Sequence, residues 1–369
     1  MQRCVNVIGV GMSPFGPASL SVNPTALVGE TIRQVLADAG LSARDIETVF
    51  AASGLMDGGT LQRALEQTGL GRVPLQHLPK GEEGIGVLFY QACQAIELGL
   101  AECVLVLGVQ GTPAPLPDLG AVFERLGAAA RAYMTRYQTR RETFAMVAVK
   151  ARQHAALNPL AVFSHPLTLD EVLEASVIAE PLTHPQFAWP SSGVAAVLLC
   201  SADFARRHGS GQAVQVIAQA CVSPVQVTAF DSASVFPCAG YEVNVVAARE
   251  LYEQAGRGPQ EVGVCEVHDS STLSELLLYE ALGFCPEGSA EKLVEDGDNT
   301  YGGNLVVNPS GGLLSLGQAP AVSGLAQCIE LVHHLRGNAG RRQVADARIA
   351  LQHQTGPDGT VVTTLYQRE

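Results

Sequence analysis

The stretch that decides the fold is short and reads VCEVHDSS at residues 264–271. Its mixture of apolar and polar residues predicts a buried strand that runs into a turn and carries a histidine at its end. About forty residues later the chain reads NPSGGLLSLGQ at residues 308–318. The adjacent glycines there allow the backbone to approach another group closely. We expect the two stretches to meet at one site.

The composition is that of a large, weakly charged globular chain. Of its 369 residues, 47% are hydrophobic and 16% are charged, which is enough apolar material for an extensive core. The formal net charge is -13 and no basic run offsets it, so a nucleic-acid partner is not expected. No apolar run reaches the roughly 18 residues of a membrane-spanning helix.

The cysteines and the N-terminus bear on metal binding and on location. Nine cysteines are scattered without Cys-x-x-Cys spacing, and this argues against a zinc site. The chain begins MQRCVNVIGV and enters a strand-like run at once, so no secretory leader is expected. We therefore expect a cytoplasmic protein with reduced thiols and no bound metal.

The first 110 residues alternate between strand-like and helix-like patterns. Leu27–Ala39 has helical apolar spacing and ends at Gly40, a suitable residue for a left-handed cap. Ile46–Ala51 is strand-like, and Val104–Gly108 is apolar throughout, as in a strand inside a parallel sheet. Gly84–Gly99 predicts a helix with few polar faces, which should be central and buried. The alternation favours parallel βαβ units.

The pattern changes between residues 111 and 190 and then repeats. Helical stretches are predicted at Glu142–Leu157 and Leu169–Ile178 within an inserted loop domain. After it, the apolar run Val214–Ala218 echoes Val5–Gly9, and Tyr241–Gly256 echoes the earlier helix. We expect an N-terminal half at residues 1–110 and 191–212, the loop domain at 111–190, and a similar C-terminal half at 213–369.

Several motifs carry a family resemblance that covers essentially the whole chain. They are EVHD (266–269), ELLLYEALG (275–283), CPEG (285–288), NPSGG (308–312), GLAQ (324–327), LQH (351–353) and, in the loop domain, AALNP (155–159). With them the chain resembles the sterol carrier protein-type thiolases, or lipid-transfer-protein thiolases. The resemblance implies an α/β thiolase fold in which two similar βαβ halves form a five-layered αβαβα sandwich with an inserted loop domain. It also implies a homodimer and an acyl-CoA ligand, with no other cofactor.

The residues for thiolase chemistry are largely replaced. Thiolysis needs a thiolate, a base for it, and a second acid or base. The place of the family's nucleophilic cysteine falls at about Gly81, in KGEEGIG (80–86), and the family's second cysteine becomes Ser270. The histidine that activates the nucleophile becomes Gln318, so only His268 remains of the four catalytic positions.

Each remaining candidate also has a structural interpretation. His268 either contacts a thioester as a hydrogen-bonding or acid–base group, or it holds its turn. Glu82 and Glu83 either cap the following helix or supply a base in the vacated acyl pocket. Trp189 either packs ordinarily or reshapes that pocket. The residues expected to line the site with them are Asn308, Ser310, Gly311 and Gly312.

Four arginines gather in the loop domain, where relatives contact CoA. They are Arg131, Arg136, Arg140 and Arg141. They either meet the phosphates of the nucleotide or form a solvated helical face.

Two functions remain open from the sequence. The first is a thiolase-like protein that binds acyl-CoA of lipid or steroid type without thiolysis, and that supports an active thiolase or an OB-fold (DUF35-type) partner subunit. The alternative is a carbon–carbon bond enzyme, a retro-aldolase or an acyltransferase, that works through His268 without a covalent cysteine intermediate. The relatives that act as retro-aldolases carry Tyr and His where this chain has Leu316-Gly317-Gln318, which weakens the alternative.

Overall fold

A ten-stranded sheet runs through the protein and carries helices on both of its faces. The computed structural model describes residues 3–16, 23–54, 58–79, 84–111, 119–209, 212–224 and 240–368. The sequence candidates Gly81, Glu82 and Glu83 lie outside the described residues.

The elements before residue 111 alternate strand and helix, as the sequence predicts. They are β1 (Val5–Met12), α1 (Pro24–Ala39), β2 (Thr48–Gly54), α2 (Gly58–Gln67), β3 (Leu75–Pro79), α3 (Gly84–Glu97) and β4 (Cys103–Gln110). The loop domain then contributes α4 (Leu119–Tyr137), α5 (Arg141–Ala155), α6 (Leu169–Glu174), β5 (Val177–Ala179) and β6 (Leu182–Thr183).

The remaining elements complete the sheet and surround the candidate site. They are β7 (Gly193–Ser201), α7 (Ala202–Arg207), β8 (Val214–Val222), α8 (Tyr241–Ala255), β9 (Val264–Glu266), α9 (Thr272–Ala281), α10 (Ala290–Glu295), β10 (Val306–Val307), α11 (Gly312–Leu316), α12 (Ser323–Arg336), β11 (Ile349–Thr355) and β12 (Val361–Gln367).

The order of the strands shows an internal duplication. The sheet runs β10-β9-β11-β12-β8-β1-β7-β4-β2-β3, so β1 and β8 meet at its centre. From the centre outward, each side makes two antiparallel and then two parallel pairings in the same sequence. The helices repeat as well: α1 ends at Gly40 and α8 ends at Gly256, both in the left-handed conformation. The prediction of two similar halves is confirmed.

The hydrophobic clusters define five layers. The helices α3 and α12 pack in the middle, against strand faces from both halves, and this central cluster includes Ile85, Leu88, Val104, Val264, Leu325 and Ile329. The opposite face of the first half packs against α1 and α2. The opposite face of the second half packs against α8 and α9. The two halves of the ten-stranded sheet thus form separate layers on either side of α3 and α12. The order is helix, half-sheet, helix, half-sheet, helix, and α3 is central and buried as expected.

One local prediction differs from the structure, and some elements were not predicted. The helix predicted at Leu169–Ile178 ends at Glu174, because the next residues form the hairpin of β5 and β6, where β-branched Val177 and Ile178 fit well. The strands β3 and β12 and the helix α4 were not predicted. Within the described ranges, no helix is both long and apolar enough to cross a lipid bilayer.

The close approach of the two halves gives a stability test at Gly108. A Cβ atom at Gly108, in β4, would lie 2.2 Å from the carbonyl oxygen of Ala321, just before α12. We expect Gly108→Ala to lower the free energy of unfolding by about 3 kcal/mol, because neither backbone can move freely. The matched control is Gly263→Ala, whose Cβ would have nothing within 4 Å. Urea unfolding measures both, and equal stability of the two variants would contradict this packing.

Candidate functional site

His268 lies two residues beyond the carboxyl end of β9, in a tight turn where the Asp269 N–H donates to the carbonyl of Val267 at 3.0 Å. Along β9, Val264 belongs to the central cluster and Cys265 to the outer one. The parallel strand β11 pairs Gln352 with Glu266, the last residue of β9. The turn therefore places His268 at the carboxyl edge of the sheet.

The imidazole of His268 is uncharged, and the described residues leave part of its hydrogen-bonding capacity unused. Its Nδ1 atom is buried without a hydrogen-bond partner among the described residues. Burial lowers the pKa of His268 to about 4, so the ring carries no charge at neutral pH. A neutral imidazole can donate from one nitrogen and accept at the other. His268 is therefore equipped to meet a polar group of a ligand.

A second histidine, His353, holds the backbone of His268. The backbone N–H of His268 donates to His353 Nδ1 at 3.3 Å. Since Nδ1 accepts, Nε2 carries the proton and donates to Asn244 Oδ1 at 2.7 Å. Burial, together with His268, lowers the pKa of His353 to about 3, which keeps this arrangement neutral. His353 thus links the end of β9 to α8.

Asn308 fastens the two sequence stretches to each other. Its side-chain oxygen accepts from the backbone N–H of Val267 at 2.7 Å, and its amide donates to Glu275 Oε2 at 3.1 Å. Its own N–H donates to the carbonyl of Cys265 at 2.8 Å. The residue has φ 52, a conformation that asparagine tolerates better than most residues. The stretches predicted to meet do meet, and Asn308 is a structural contact between them.

A buried ion pair from the loop domain supports Asn308. The ammonium of Lys150, on α5, donates to Glu275 and also to Tyr279 Oη and the carbonyl of Val307, both at 3.2 Å. The exposed fractions of the Lys150 and Glu275 side chains are 6% and 0%. This ion pair thus connects the loop domain to the C-terminal half next to Asn308.

Ser310 and the two glycines after it have structural partners. Ser310 donates its N–H and its hydroxyl to the Glu266 carboxylate, at 2.9 and 2.8 Å. Asp269 accepts the N–H groups of the first turn of α11. A Cβ at Gly312, which has φ +64, would lie 2.2 Å from Asp269 Oδ2, and a Cβ at Gly311 would lie 2.7 Å from Ala155 Cβ. These residues shape the site rather than project groups into it.

Ser270 and Gln318, which the sequence predicts to stand at replaced catalytic positions, lie on either side of one extended segment, residues 187–191. Ala188 N–H donates to the carbonyl of Ser270 at 3.0 Å, and Gln318 N–H donates to the carbonyl of Trp189 at 2.7 Å. The Ser270 hydroxyl lies 3.1 Å from that of Ser274. Sequence reasoning therefore placed both residues at the same region as His268.

Trp189 stacks on a neighbouring ring of the loop domain. Its ring lies 4.4 Å from that of His184, and its Nε1–H donates to the carbonyl of His184 at 3.2 Å. Phe187, two residues earlier, is buried against Phe123 with ring centroids 4.5 Å apart. These contacts favour the packing interpretation.

The four arginines lie on the loop-domain helices α4 and α5 or directly before α5. Arg136 pairs with Glu287 at 3.0 Å, Arg140 with Glu295 and, at 3.7 Å, Glu291, and Arg141 with Glu142 at 3.9 Å. Arg131 donates to the carbonyl of Glu180. Their side chains remain largely exposed, so a phosphate would compete with these carboxylates in water.

Gln354 was missed by sequence reasoning. Its side chain lies between Gly86 of α3 and Gly324 of α12, whose added Cβ atoms would lie 2.5 and 1.9 Å from Oε1. Oε1 is buried and has no partner within the described part of the chain. The available signal was the alternation of Gln352 and Gln354 in the strand LQHQ, which places two amides on one face.

The buried ion pair beneath the site can be tested by its removal. We expect Lys150→Met to lower the free energy of unfolding by about 3–5 kcal/mol, because the Glu275 carboxylate would stay buried without its cation. Lys150→Met with Glu275→Gln should recover part of this loss. The control is Arg140→Met, which removes ion pairs at the protein surface and should lower the free energy of unfolding far less. A loss in Lys150→Met no larger than in the control, measured in urea, would contradict the role of the pair.

The neutral state of His268 predicts a pH dependence of stability. Its pKa is near 4 when folded, against 6.5 when unfolded, so the unfolded chain binds more protons between these values. Stability is complete above pH 6.5 and falls as the pH drops toward 4. We expect wild-type protein to lose about 2 kcal/mol more than His268→Asn between pH 7 and pH 5. Urea unfolding at both pH values measures this, and equal losses would show that His268 protonates freely in the folded state.

Comparison with known proteins agrees with this geometry. Residues 231–365 match the family model described as "Thiolase C-terminal domain-like". Sterol carrier protein 2 of Bos taurus is 37% identical over 395 residues, an alignment covering 100% of this chain and 73% of that protein.

Two solved structures share the fold. An Ltp2–ChsH2 (DUF35) aldolase matches with TM-score 0.84 and 24% identity, covering 99% of this chain and 97% of that one. A monomeric SCP2-thiolase-like protein type 1 from Mycobacterium smegmatis matches with TM-score 0.75 and 19% identity, covering 99% and 77%. With its identity to sterol carrier protein 2 along the full chain, this protein belongs to the sterol carrier protein-type thiolases of the thiolase superfamily.

Proposed function

We propose that this protein binds an acyl-CoA thioester of lipid or steroid type at His268 and does not carry out thiolysis. The observation that carries the proposal is the neutral imidazole of His268, whose Nδ1 atom is buried without a hydrogen-bond partner among the described residues. A thioester carbonyl can accept a hydrogen bond from such a ring. The backbone that carries the ring is held by His353, which accepts from the His268 N–H, and by Asn308, which accepts from the Val267 N–H.

The absence of thiolysis follows from the groups around His268. Neither the hydroxyl of Ser270 nor the amide of Gln318 takes up a proton at neutral pH, so neither replaces the family's cysteine and histidine. Among the described cysteines, Cys265 belongs to the outer cluster, and burial raises its pKa. Burial likewise raises the pKa of Cys93 on α3. These thiols stay protonated and are poor nucleophiles.

A protein that binds a thioester without turning it over fits a subunit role. The aldolase structure named above contains an Ltp2 chain together with a DUF35 protein. By analogy, the proposed partner is an OB-fold (DUF35-type) subunit or an active thiolase, and a homodimer is proposed for the chain itself. The exposed arginines Arg131, Arg136, Arg140 and Arg141 are the candidates for the CoA phosphates.

The alternative function is cleavage or formation of a carbon–carbon bond by His268. In a retro-aldol step on a 3-hydroxyacyl-CoA, a base takes the hydroxyl proton and the Cα–Cβ bond breaks. The products are a carbonyl compound and a thioester enolate, which then takes up a proton. The observation that favours the alternative is the buried Nδ1 atom of His268, which has no partner among the described residues and is open to accept this proton. The lowered pKa of His268 makes it a weak base, which is why this function is the second candidate.

Calorimetric titration with CoA and acetyl-CoA tests the proposal. We expect acetyl-CoA to bind at millimolar concentration or below, with His268→Ala weakening it about tenfold through the loss of one hydrogen bond. Thiolysis of acetoacetyl-CoA by CoA should stay at background. The control is His208→Ala, at the end of α7, which should bind like the wild type.

The other outcomes are equally informative. No binding of either ligand at millimolar concentration would overturn the proposal and leave a scaffold. Robust thiolysis would show that a thiolate reaches the acyl group. Retro-aldol cleavage that disappears in His268→Ala would establish the alternative function.

A further inference from the structure

We propose that the acyl chain of the ligand carries a carboxylate, and that the guanidinium of Arg152 is its counter-ion. This inference rests on the proposed function and narrows it to a substrate class, the CoA thioesters of dicarboxylic acids. Arg152 lies near the end of α5 and is not one of the four arginines considered for the CoA phosphates.

Arg152 is a half-buried cation without an anionic partner. Its Nε atom is buried and has no hydrogen-bond partner, and no ion pair joins its guanidinium to another residue in the described part of the chain. Burial lowers the pKa of Arg152 from its usual value, and no described carboxylate raises it. Arginine nevertheless keeps its charge in proteins. Since a buried charge without an opposite charge is unfavourable, a ligand is needed to supply the anion.

Two other arginines provide an internal comparison. Among the described residues, Arg336 and Arg342 are the other arginines that are not exposed. Arg336 pairs with Asp38 at 2.7 Å, and Arg342 pairs with Glu330 at 2.6 Å. The fold thus provides each of these two cations with a carboxylate and leaves Arg152 without one.

Two rings lie next to the guanidinium of Arg152. Its central carbon lies 4.7 Å from the centre of the Phe163 ring, a distance at which a cation and an aromatic face attract each other. Burial, followed by the charge of Arg152, lowers the pKa of His184, so this second ring is uncharged at neutral pH. These contacts orient the guanidinium and leave its N–H groups without an acceptor among the described residues. A donor oriented in advance loses less freedom when an anion binds.

The neighbours of Arg152 connect it to the candidate site. The backbone N–H of Phe163 donates to a carbonyl of α11 at 2.9 Å. The ring of His184 stacks on Trp189 at 4.4 Å, and the carbonyl of Trp189 accepts from the N–H of Gln318 at 2.7 Å. Both neighbours of Arg152 are therefore linked to the glycine-containing stretch that the sequence predicts to line the site.

The position of Arg152 along α5 separates it from the candidates for the phosphates. Arg141 begins α5, and at about 1.5 Å per residue Arg152 lies roughly 16 Å further along the helix. At that end of α5, His154 contacts the carbonyl of Asn308 at 2.9 Å. A guanidinium meets a carboxylate through two parallel N–H bonds, so one arginine at this place suits one carboxylate of the acyl chain.

The test compares CoA thioesters that differ in one terminal group. Glutaryl-CoA and pentanoyl-CoA have acyl chains of equal length that end in a carboxylate and in a methyl group, and adipoyl-CoA and hexanoyl-CoA form a second such pair. We expect the wild type to bind the carboxylate-ended ligand about tenfold more tightly than the methyl-ended one in at least one pair, by calorimetry at low salt.

Arg152→Met removes the charge and keeps an unbranched apolar side chain against Phe163. We expect the preference for the carboxylate to disappear in this variant, while the affinity for the methyl-ended ligand changes less than about twofold. Arg152→Lys is the second variant. It keeps the charge without the planar pair of donors, so it should retain part of the preference.

The matched control is Arg206→Met on α7, which removes the same charge from an exposed side chain and should keep the wild-type preference. Equal affinity of the wild type for both members of each pair would overturn this inference and leave acyl-CoA binding standing. A loss in Arg152→Met that is the same for both members would assign Arg152 to the CoA phosphates and would also overturn it. Failure of the wild type to bind any CoA thioester would overturn the proposed function itself.

Discussion

The site depends on one asparagine in the left-handed conformation. Asn308 bonds the backbone before His268 through its side-chain oxygen, Glu275 through its amide, and β9 through its own N–H. Its carbonyl meets the His154 ring at 2.9 Å. Because each of these groups is buried, an unfilled bond would leave a polar group without water or a partner. The hydrogen bonds that satisfy the polar groups of Asn308 therefore fix the position of the backbone at His268.

The loop domain contributes two polar side chains of α5 to this arrangement. Lys150 and His154 lie one helical turn apart on α5, and they reach Glu275 and Asn308 respectively. Burial and the nearby Lys150 lower the pKa of His154 to about 3, so the helix brings a single positive charge to the buried Glu275. The loop domain contributes polar contacts that hold the site, in addition to covering it.

The duplicated fold uses its two halves unequally. The equivalent strands β2 and β9 occupy the same place in the two halves, next to β4 and β11. The strand β9 continues into the histidine, the aspartate that caps α11 and the bonds to Asn308. In the first half, Ser53 on β2 lies 2.8 Å from His77 on β3. The duplicated core supplies a common frame, and the two equivalent strands carry different polar groups at their ends.

The sequence by itself determined the class of fold, the duplication and the meeting of the stretch that carries His268 with the glycine-containing stretch at residues 308–318. Those features depend on local periodicity, turn residues and motif identity, which are written along the chain. It did not indicate β3, β12 or Gln354, since a short strand and a single glutamine acquire meaning only from their neighbours. It predicted a helix over Leu169–Ile178, whereas the helix in the structure ends at Glu174. The pairing of β5 with β6 outweighed the local helical preference of the residues that follow. Only the tertiary structure decided which polar groups are satisfied: Asn308, Ser310 and Gln352 found partners within the fold, whereas His268 Nδ1 and Gln354 Oε1 did not find one among the described residues. Whether a buried polar group finds a hydrogen-bond partner depends on the distances between strands that are far apart in the sequence. No pattern along the chain encodes those distances.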